Sequence, residues 1–368
     1  MKRNLDQKIW IYTILIIIAG LTALYSAAYD NVRVPRSIFY DQLIFSLFGL
    51  GVMYLIGRMD YRKFYDAAYI FYGLNVVLLL AVLIGGKDAL GARRWIELGP
   101  FSFQPSELTK LSVVLVLGRY FSDIRPRLSF DFFTKAQALF NNLIVPFFLS
   151  AVLMLLIFKQ PDLGTALLIL GMFVVMLFAS GIEYKYFFGF LFCFLAAVPF
   201  AWHVLKPYQK DRLLVFLNPN IDPLGAGYTI IQSKIAIGSG QIFGKGWLSG
   251  TQNQLNFLPE RHTDFIFSVI GEEWGFIGAV VLIYFYFRLI ENSFKVAEQV
   301  KDSFGTLVSV GILAILVLQV VINIGMVMGL FPVVGITLPF VSYGRSSFLV
   351  FLIMMGFLLS LSKRRTIF

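Results

Sequence analysis

The chain has 368 residues, 58% of them hydrophobic and only 14% charged, with a mean hydropathy of +0.78. A soluble globular domain carries roughly 25% charged residues, so the composition excludes that class and indicates a polytopic helical membrane protein. The net charge of +10 is no nucleic-acid signal, because Lys and Arg fall in short loops between apolar runs, as expected from the positive-inside pattern and contact with anionic lipid. Cys193 is the only cysteine, which leaves no disulfide framework and no thiol metal site. His203 and His262 form no metal-ligand motif.

Ten apolar runs are expected to span the membrane, at about 9–27, 38–57, 64–85, 106–121, 141–158, 165–180, 185–204, 265–287, 305–328 and 341–361. The fourth and sixth are short against the roughly 20 residues of a single crossing. Met1-Lys2-Arg3 precedes the first run with no A-x-A-like site, so that helix is expected to stay uncleaved. With the N-terminus inside, the inner loops hold 17 Lys and Arg and the short outer loops 6. Both termini are therefore expected in the cytoplasm. The expected fold class is an all-α polytopic membrane protein, one integral-membrane domain over 1–368. Residues 205–263 form a long extracytoplasmic loop between spans 7 and 8.

The polar segments on the outer side carry the candidate chemistry. Residues 86–105 are rich in Gly, Arg and Trp and include Arg94. Gln104-Pro105-Ser106-Glu107-Leu108-Thr109-Lys110 opens the fourth span, where Pro105 suits a first helical turn. Glu107 and Lys110, three apart, share a helical face and read either as a structural ion pair or as the lining of a polar cavity. Lys159-Gln160-Pro161-Asp162 makes a tight turn in which Asp162 either satisfies the backbone or serves as a further outer carboxylate.

Residues 205–263 hold seven glycines between Gly225 and Gly250, together with Arg212, Lys234 and Lys245. A loop this long is usually functional, and glycine permits close backbone approach. The apolar Tyr228-Thr229-Ile230-Ile231 favours a folded re-entrant or interfacial segment over a merely flexible one. The loop ends in Leu258-Pro259-Glu260-Arg261-His262-Thr263-Asp264-Phe265-Ile266-Phe267, with Glu272 and Glu273 two turns deeper. Asp264 stands at a membrane edge, as a helix cap or as a functional charge. Structural pairing is the expectation for Glu272 and Glu273. Ser342 begins the small and hydroxyl residues that open the last span and suit close helix packing. Asn323, a lone polar residue in the ninth span, is expected to hydrogen-bond across helices.

Arg94, Glu107, Lys110, Asp162, the glycine-rich loop and Asp264 fall on one side of the membrane. Mixed charges there suit a substrate with an anionic head and a nucleophile that must lose a proton. A pyrophosphate leaving group needs Lys, Arg or a divalent cation, and a carboxylate can serve as general base.

These runs resemble the SEDS family (shape, elongation, division and sporulation) of ten-span cell-wall polymerases. The resemblance rests on Gly91-Ala92 with Arg94-Trp95, Gln104-Pro105-Ser106-Glu107, Gln160-Pro161-Asp162-Leu163-Gly164-Thr165-Ala166, Asp222-Pro223-Leu224-Gly225-Ala226-Gly227-Tyr228, Leu258-Pro259-Glu260 with His262-Thr263-Asp264-Phe265, Gly271-Glu272-Glu273, and Leu338-Pro339-Phe340 with Ser342-Tyr343-Gly344. Arg261, Lys234 and Gly244-Lys245-Gly246-Trp247 look like the RodA elongation branch rather than the FtsW division branch. The resemblance implies a lipid II:glycan glycosyltransferase of the bacterial inner membrane. Asp264 would deprotonate the acceptor's 4-hydroxyl, which displaces undecaprenyl pyrophosphate with inversion. It further implies that Glu107 and Lys110 bear on activity or its regulation, and a partnership with a class B penicillin-binding protein and the elongation machinery. The cofactor considered is a divalent cation, Mg or Mn. Arg345 departs from the family's Ser-Tyr-Gly-Gly-Ser; contact with the membrane interface, a phosphate or Asp162 all remain open to it. A lipid II flippase and a non-catalytic scaffold are the competing readings.

Overall fold

The computed structural model describes residues 2–29, 35–89, 92–98, 101–124, 137 and 139–363. The expected spans appear in chain order as α1 (Lys2–Ala28), α2 (Ser37–Ile56), α3 (Arg62–Gly85), α4 (Pro105–Asp123), α5 (Val145–Lys159, entered through a π-turn at Phe140–Ile144), α6 (Leu163–Ala179) and α7 (Tyr184–Val204). The long loop folds into α8 (Pro207–Leu217), α9 (Ala226–Gly240) and the single turn α10 (Thr251–Gln254). Three helices complete the chain: α11 (Ile266–Gln299), α12 (Ser303–Val327) and α13 (Arg345–Lys363). Among the described residues, seven helical segments are by length and composition long and apolar enough to cross a membrane, while Leu163–Ala179 and Tyr184–Phe200 are shorter apolar helices. α4 is not among either group; it carries Glu107, Lys110, Arg119 and Asp123.

The centre of the bundle is built from α4, α12 and α13. α4 packs on α3 and α12, α6 on α12, and α13 on α2. Pro105 starts α4 after an extended Gln104, and Asp162 caps α6 by accepting from the Thr165 N–H. α4 is buried along most of its length, so the two charges it carries inward must find partners inside. α7 lies at the edge. Phe187 stacks edge-on against Phe178, and Phe190 against Phe147 and Phe173; Phe188, Phe192 and Phe200 face outward.

Residues 86–104 hold strands where the sequence reading saw only a Gly-, Arg- and Trp-rich segment. β1 (Lys87–Ala89), β2 (Ala92–Leu98) and β3 (Phe101–Phe103) form a small antiparallel sheet in the order β1-β2-β3. Lys87 pairs with Trp95 and Ile96 with Phe103. This sheet leads straight into α4 and fixes where Arg94 leaves the backbone.

The glycine-rich loop is folded, and its fold is explained by a break in α11. Gly275 adopts φ 66°, ψ −162°, which interrupts the helical hydrogen-bond ladder. The freed groups are taken up by residues 241–246. Phe276 and Ile277 N–H donate to the carbonyls of Gln241 (2.8 Å) and Ile242 (3.2 Å), while the Lys245 and Gly246 N–H donate to the carbonyls of Glu272 and Glu273, each at 3.0 Å. Such a break is tolerated in a membrane span only where other protein groups satisfy the backbone. The approach is close enough that a Cβ on Gly244 would lie 2.2 Å from the Glu273 carbonyl oxygen.

The two acids beside the break are structural, as expected. Glu272 accepts from Lys245 Nζ (2.8 Å), from Thr251 Oγ1 (3.2 Å) and from the N–H groups of Gln252 and Asn253. It therefore neutralises Lys245 and caps the turn of α10 together. Glu273 accepts from Ser26 Oγ of α1 (2.5 Å) and from Asn253 Nδ2 (3.2 Å). Arg261 donates to the Ala27 and Asn253 carbonyls and to Asn256 Oδ1, tying the approach to Asp264 onto the end of α1.

Candidate active site

Asp264 sits two residues before α11, at the mouth of the bundle. Its backbone is clamped from three sides. The Tyr343 N–H donates to the His262 carbonyl (2.8 Å), Ser342 Oγ donates to the Thr263 carbonyl (2.5 Å), and Asn323 Nδ2 donates to the Asp264 carbonyl (2.9 Å). Ser342 Oγ also accepts from the Leu338 N–H at 2.8 Å. Leu338-Pro339-Phe340-Val341-Ser342-Tyr343 thus forms the bracket that holds His262-Thr263-Asp264. Ser342 acts in that bracket through the backbone of Thr263 and Leu338.

Glu260 forms the other half of the clamp. It takes a left-handed conformation, φ 48°, and its carbonyl accepts from the Thr263 and Phe265 N–H groups. Thr263 Oγ1 donates to Glu260 Oε2 at 3.1 Å. Asp264 is half-buried, and among the described residues no hydrogen bond to its carboxylate is formed. Loss of water, reinforced by the Glu260 charge, lifts its pKa from 3.8 to about 7, against the opposing pull of Arg212 and Arg94. A carboxyl that titrates near neutrality without a fixed donor is suited to take a proton. Burial also lowers the pKa of His262, whose buried Nδ1 has no partner among the described residues.

Of the residues singled out in the sequence, Arg94, Arg212 and Asp162 are gathered within electrostatic reach of Asp264. Arg94 Nε donates to the Gln160 carbonyl (3.1 Å), and its guanidinium also bonds the Pro161 carbonyl, which accepts from Tyr208 Oη as well (3.2 Å). Arg94 therefore braces the 160–162 turn, where Pro161 itself has φ 31°. Arg212 reaches from α8 to the Val333 carbonyl (3.3 Å) and is exposed. Asp162 is buried and accepts from Thr165 Oγ1 (3.0 Å) and Ser106 Oγ (3.2 Å), besides capping α6.

Glu107 and Lys110 pair at 2.6 Å with almost no exposure. Lys110 also donates to Gln319 Oε1 at 2.9 Å and lies over the Phe351 ring. Gln319 passes the network to the Thr337 carbonyl, and Thr337 Oγ1 lies 3.0 Å from Ser347 Oγ. The pair thus supports the segment 336–347 that brackets Asp264.

Two basic candidates are not brought to Asp264. Lys245 is engaged by Glu272 and Thr251. Lys234 lies on α9 over Gly329, beyond the C-terminal end of α12, where its neighbour Ser233 donates to the Val327 carbonyl at 2.6 Å. Arg345 pairs with Asp41 on α2 and lies over the Phe45 ring. Sequence reasoning missed Glu260 as a neighbour of the base, Asn323 as its clamp and Asp41 as the partner of Arg345. Only the first had a signal, two carboxylates four residues apart across a turn. Among the described residues no three His, Cys, Asp or Glu side chains gather so as to hold a metal ion.

Comparison with known proteins agrees with this layout. The sequence model of the FtsW/RodA/SpoVE family, described as a cell cycle protein, matches residues 6–367. The chain belongs to this family. It is 41% identical over 321 residues to the peptidoglycan glycosyltransferase MrdB of Escherichia coli K12, covering 86% of this chain and 83% of that protein. It is 31% identical to the peptidoglycan glycosyltransferase RodA of Treponema pallidum, with 94% of each covered. Its fold is similar to a chain in a solved structure titled for the coordination of polymerization and crosslinking by a peptidoglycan synthase complex (TM-score 0.81, 34% identity, 98% of each chain). It is also similar to the rod shape determining protein RodA of Thermus thermophilus (TM-score 0.70, 29% identity, 97% of this chain and 96% of that one). The family fold is thus shared along almost the whole chain.

Proposed function

We propose that this chain is a peptidoglycan glycosyltransferase that extends glycan strands from lipid II during cell elongation, with Asp264 as the general base. The single observation that carries the role of Asp264 is its setting: a half-buried carboxyl raised to about 7, rigidly held by its backbone but free of fixed donors, with two arginines in range. In this reading Asp264 takes the proton of the acceptor sugar's hydroxyl. The oxygen attacks the donor's anomeric carbon, and the bond from that carbon to the diphosphate oxygen breaks. Arg212, exposed at the same mouth, offsets the charge that develops on the departing diphosphate. One base and one displacement invert the anomeric centre.

The loop charges support an outward-facing site with both termini in the cytoplasm of the bacterial inner membrane. Similarity to a chain of a peptidoglycan synthase complex supports a crosslinking partner, which we take to be a class B penicillin-binding transpeptidase of the elongation machinery. The test is to incubate the purified chain with lipid II in proteoliposomes, with and without that partner. Polymer that lengthens with time supports the reading. Lipid II translocation without polymer would replace it with transport.

A further inference from the structure

Asn323 lies near the end of α12 and is fully buried. A buried amide must find partners, and its Nδ2 finds two backbone carbonyls from different segments: Asp264 at 2.9 Å and Ile336 at 2.6 Å. Those segments frame the carboxylate. Next to Ile336 stands Gly335, where an added Cβ would make ordinary van der Waals contact with Asp264 Oδ2 at 3.5 Å. One side chain therefore ties the backbone of the base to the segment that borders its Oδ2 at Gly335.

We infer that Asn323 is a positioning residue for the base: by holding the Asp264 carbonyl against that of Ile336 it fixes the heading of the carboxylate next to Gly335. This rests on Asp264 being the base. The other two parts of the clamp, Ser342 and the Tyr343 N–H, hold residues 262 and 263; Asn323 is the part that grips Asp264 itself. A base displaced by about 1 Å loses on the order of a hundredfold in rate, and the loss falls on the chemical step rather than on substrate capture.

The experiment compares Asn323→Leu, which keeps the branched heavy-atom outline and removes both donors, with Asn323→Gln, which keeps the donors on a longer arm. Each is purified in detergent with its thermal transition and monodispersity recorded, and assayed on lipid II. The expected result is a kcat reduced ten- to a hundredfold in the folded Leu variant, with KM changed less than about twofold and part of kcat recovered in the Gln variant. A folded Leu variant with wild-type kcat, or one whose loss lies wholly in KM, overturns the assignment. Should the Leu variant not fold, the Gln variant decides by the same kcat-against-KM split. An Asp264→Asn variant run alongside separates the two claims: if it polymerises normally the base reading fails, whereas an inactive Asp264→Asn beside a fully active Asn323→Leu rejects only the positioning role.

Discussion

Replacing Asp264 by Asn should make the protein more stable, and only above acidic pH. The wild-type carboxyl has a folded pKa of about 7 against 3.8 in the unfolded chain. Between those values the folded state binds more protons than the unfolded one, so stability falls as pH rises and the loss is complete just above 7. The two figures set an upper bound of about 4 kcal/mol, at 1.36 kcal/mol per unit, and the partial exposure of Asp264 makes the bound generous. Asn keeps the shape and forfeits little, because no hydrogen bond to the carboxylate is formed among the described residues. For a chain of 368 residues, that energy corresponds to a rise in the unfolding midpoint of about 5 °C at most. The assay is thermal unfolding in detergent from pH 4 to pH 8. The difference between variant and wild type should be near zero at pH 4 and grow towards pH 8. A difference that does not depend on pH, or an Asn variant less stable at pH 8, refutes the claim that desolvation raises the pKa of this carboxyl.

Three further outcomes follow from the same geometry. The rate of lipid II polymerisation should rise with pH through an inflection near 7, set by Asp264; Glu260→Gln should move that limb to lower pH and Arg212→Gln to higher pH, read from pH profiles of kcat/KM. Lys110→Met should destabilise the fold by about 3–5 kcal/mol by stranding buried Glu107, and adding Glu107→Leu should recover most of the loss in an unfolding measurement. Gly244→Ala should prevent stable folding, since its Cβ would meet the Glu273 carbonyl at 2.2 Å. Gly246→Ala, whose new Cβ would have Ser249 Oγ as its nearest neighbour at 3.7 Å, should cost only the backbone strain of its φ of 99°, about 1–2 kcal/mol.

The order of the apolar spans could be read from the sequence because apolar runs and loop charges report directly on a bilayer, whereas the helices inside residues 205–263 could not. Arg94, Asp162 and Asp264 could be assigned to one side from the sequence, because their segments fall on the outer side of the expected bilayer; that Arg212 comes within electrostatic reach of Asp264 was added by the fold. What was not legible depends on pairings between distant segments. Asn323 reads only as a lone polar residue until α12 is packed beside the Asp264 turn. Ser342 reads as a small packing residue until its hydroxyl is seen between Thr263 and Leu338. The glycines of 238–246 announce a close approach, but not to what; the target is the break at Gly275, which no local pattern marks within an apolar run. The strands at 87–103 are short and arginine-rich, so alternation is too brief to register. Arg345 found Asp41, 304 positions away in sequence, a pairing that no spacing rule supplies.

The most direct test is the polymerisation of lipid II by wild type and by Asp264→Asn, both folded, both with the transpeptidase partner, at pH 7.5. The general-base account requires long glycan strands from the wild type and a loss of at least about a hundredfold in the Asn variant. Polymer formed by Asp264→Asn at a rate close to wild type would contradict it.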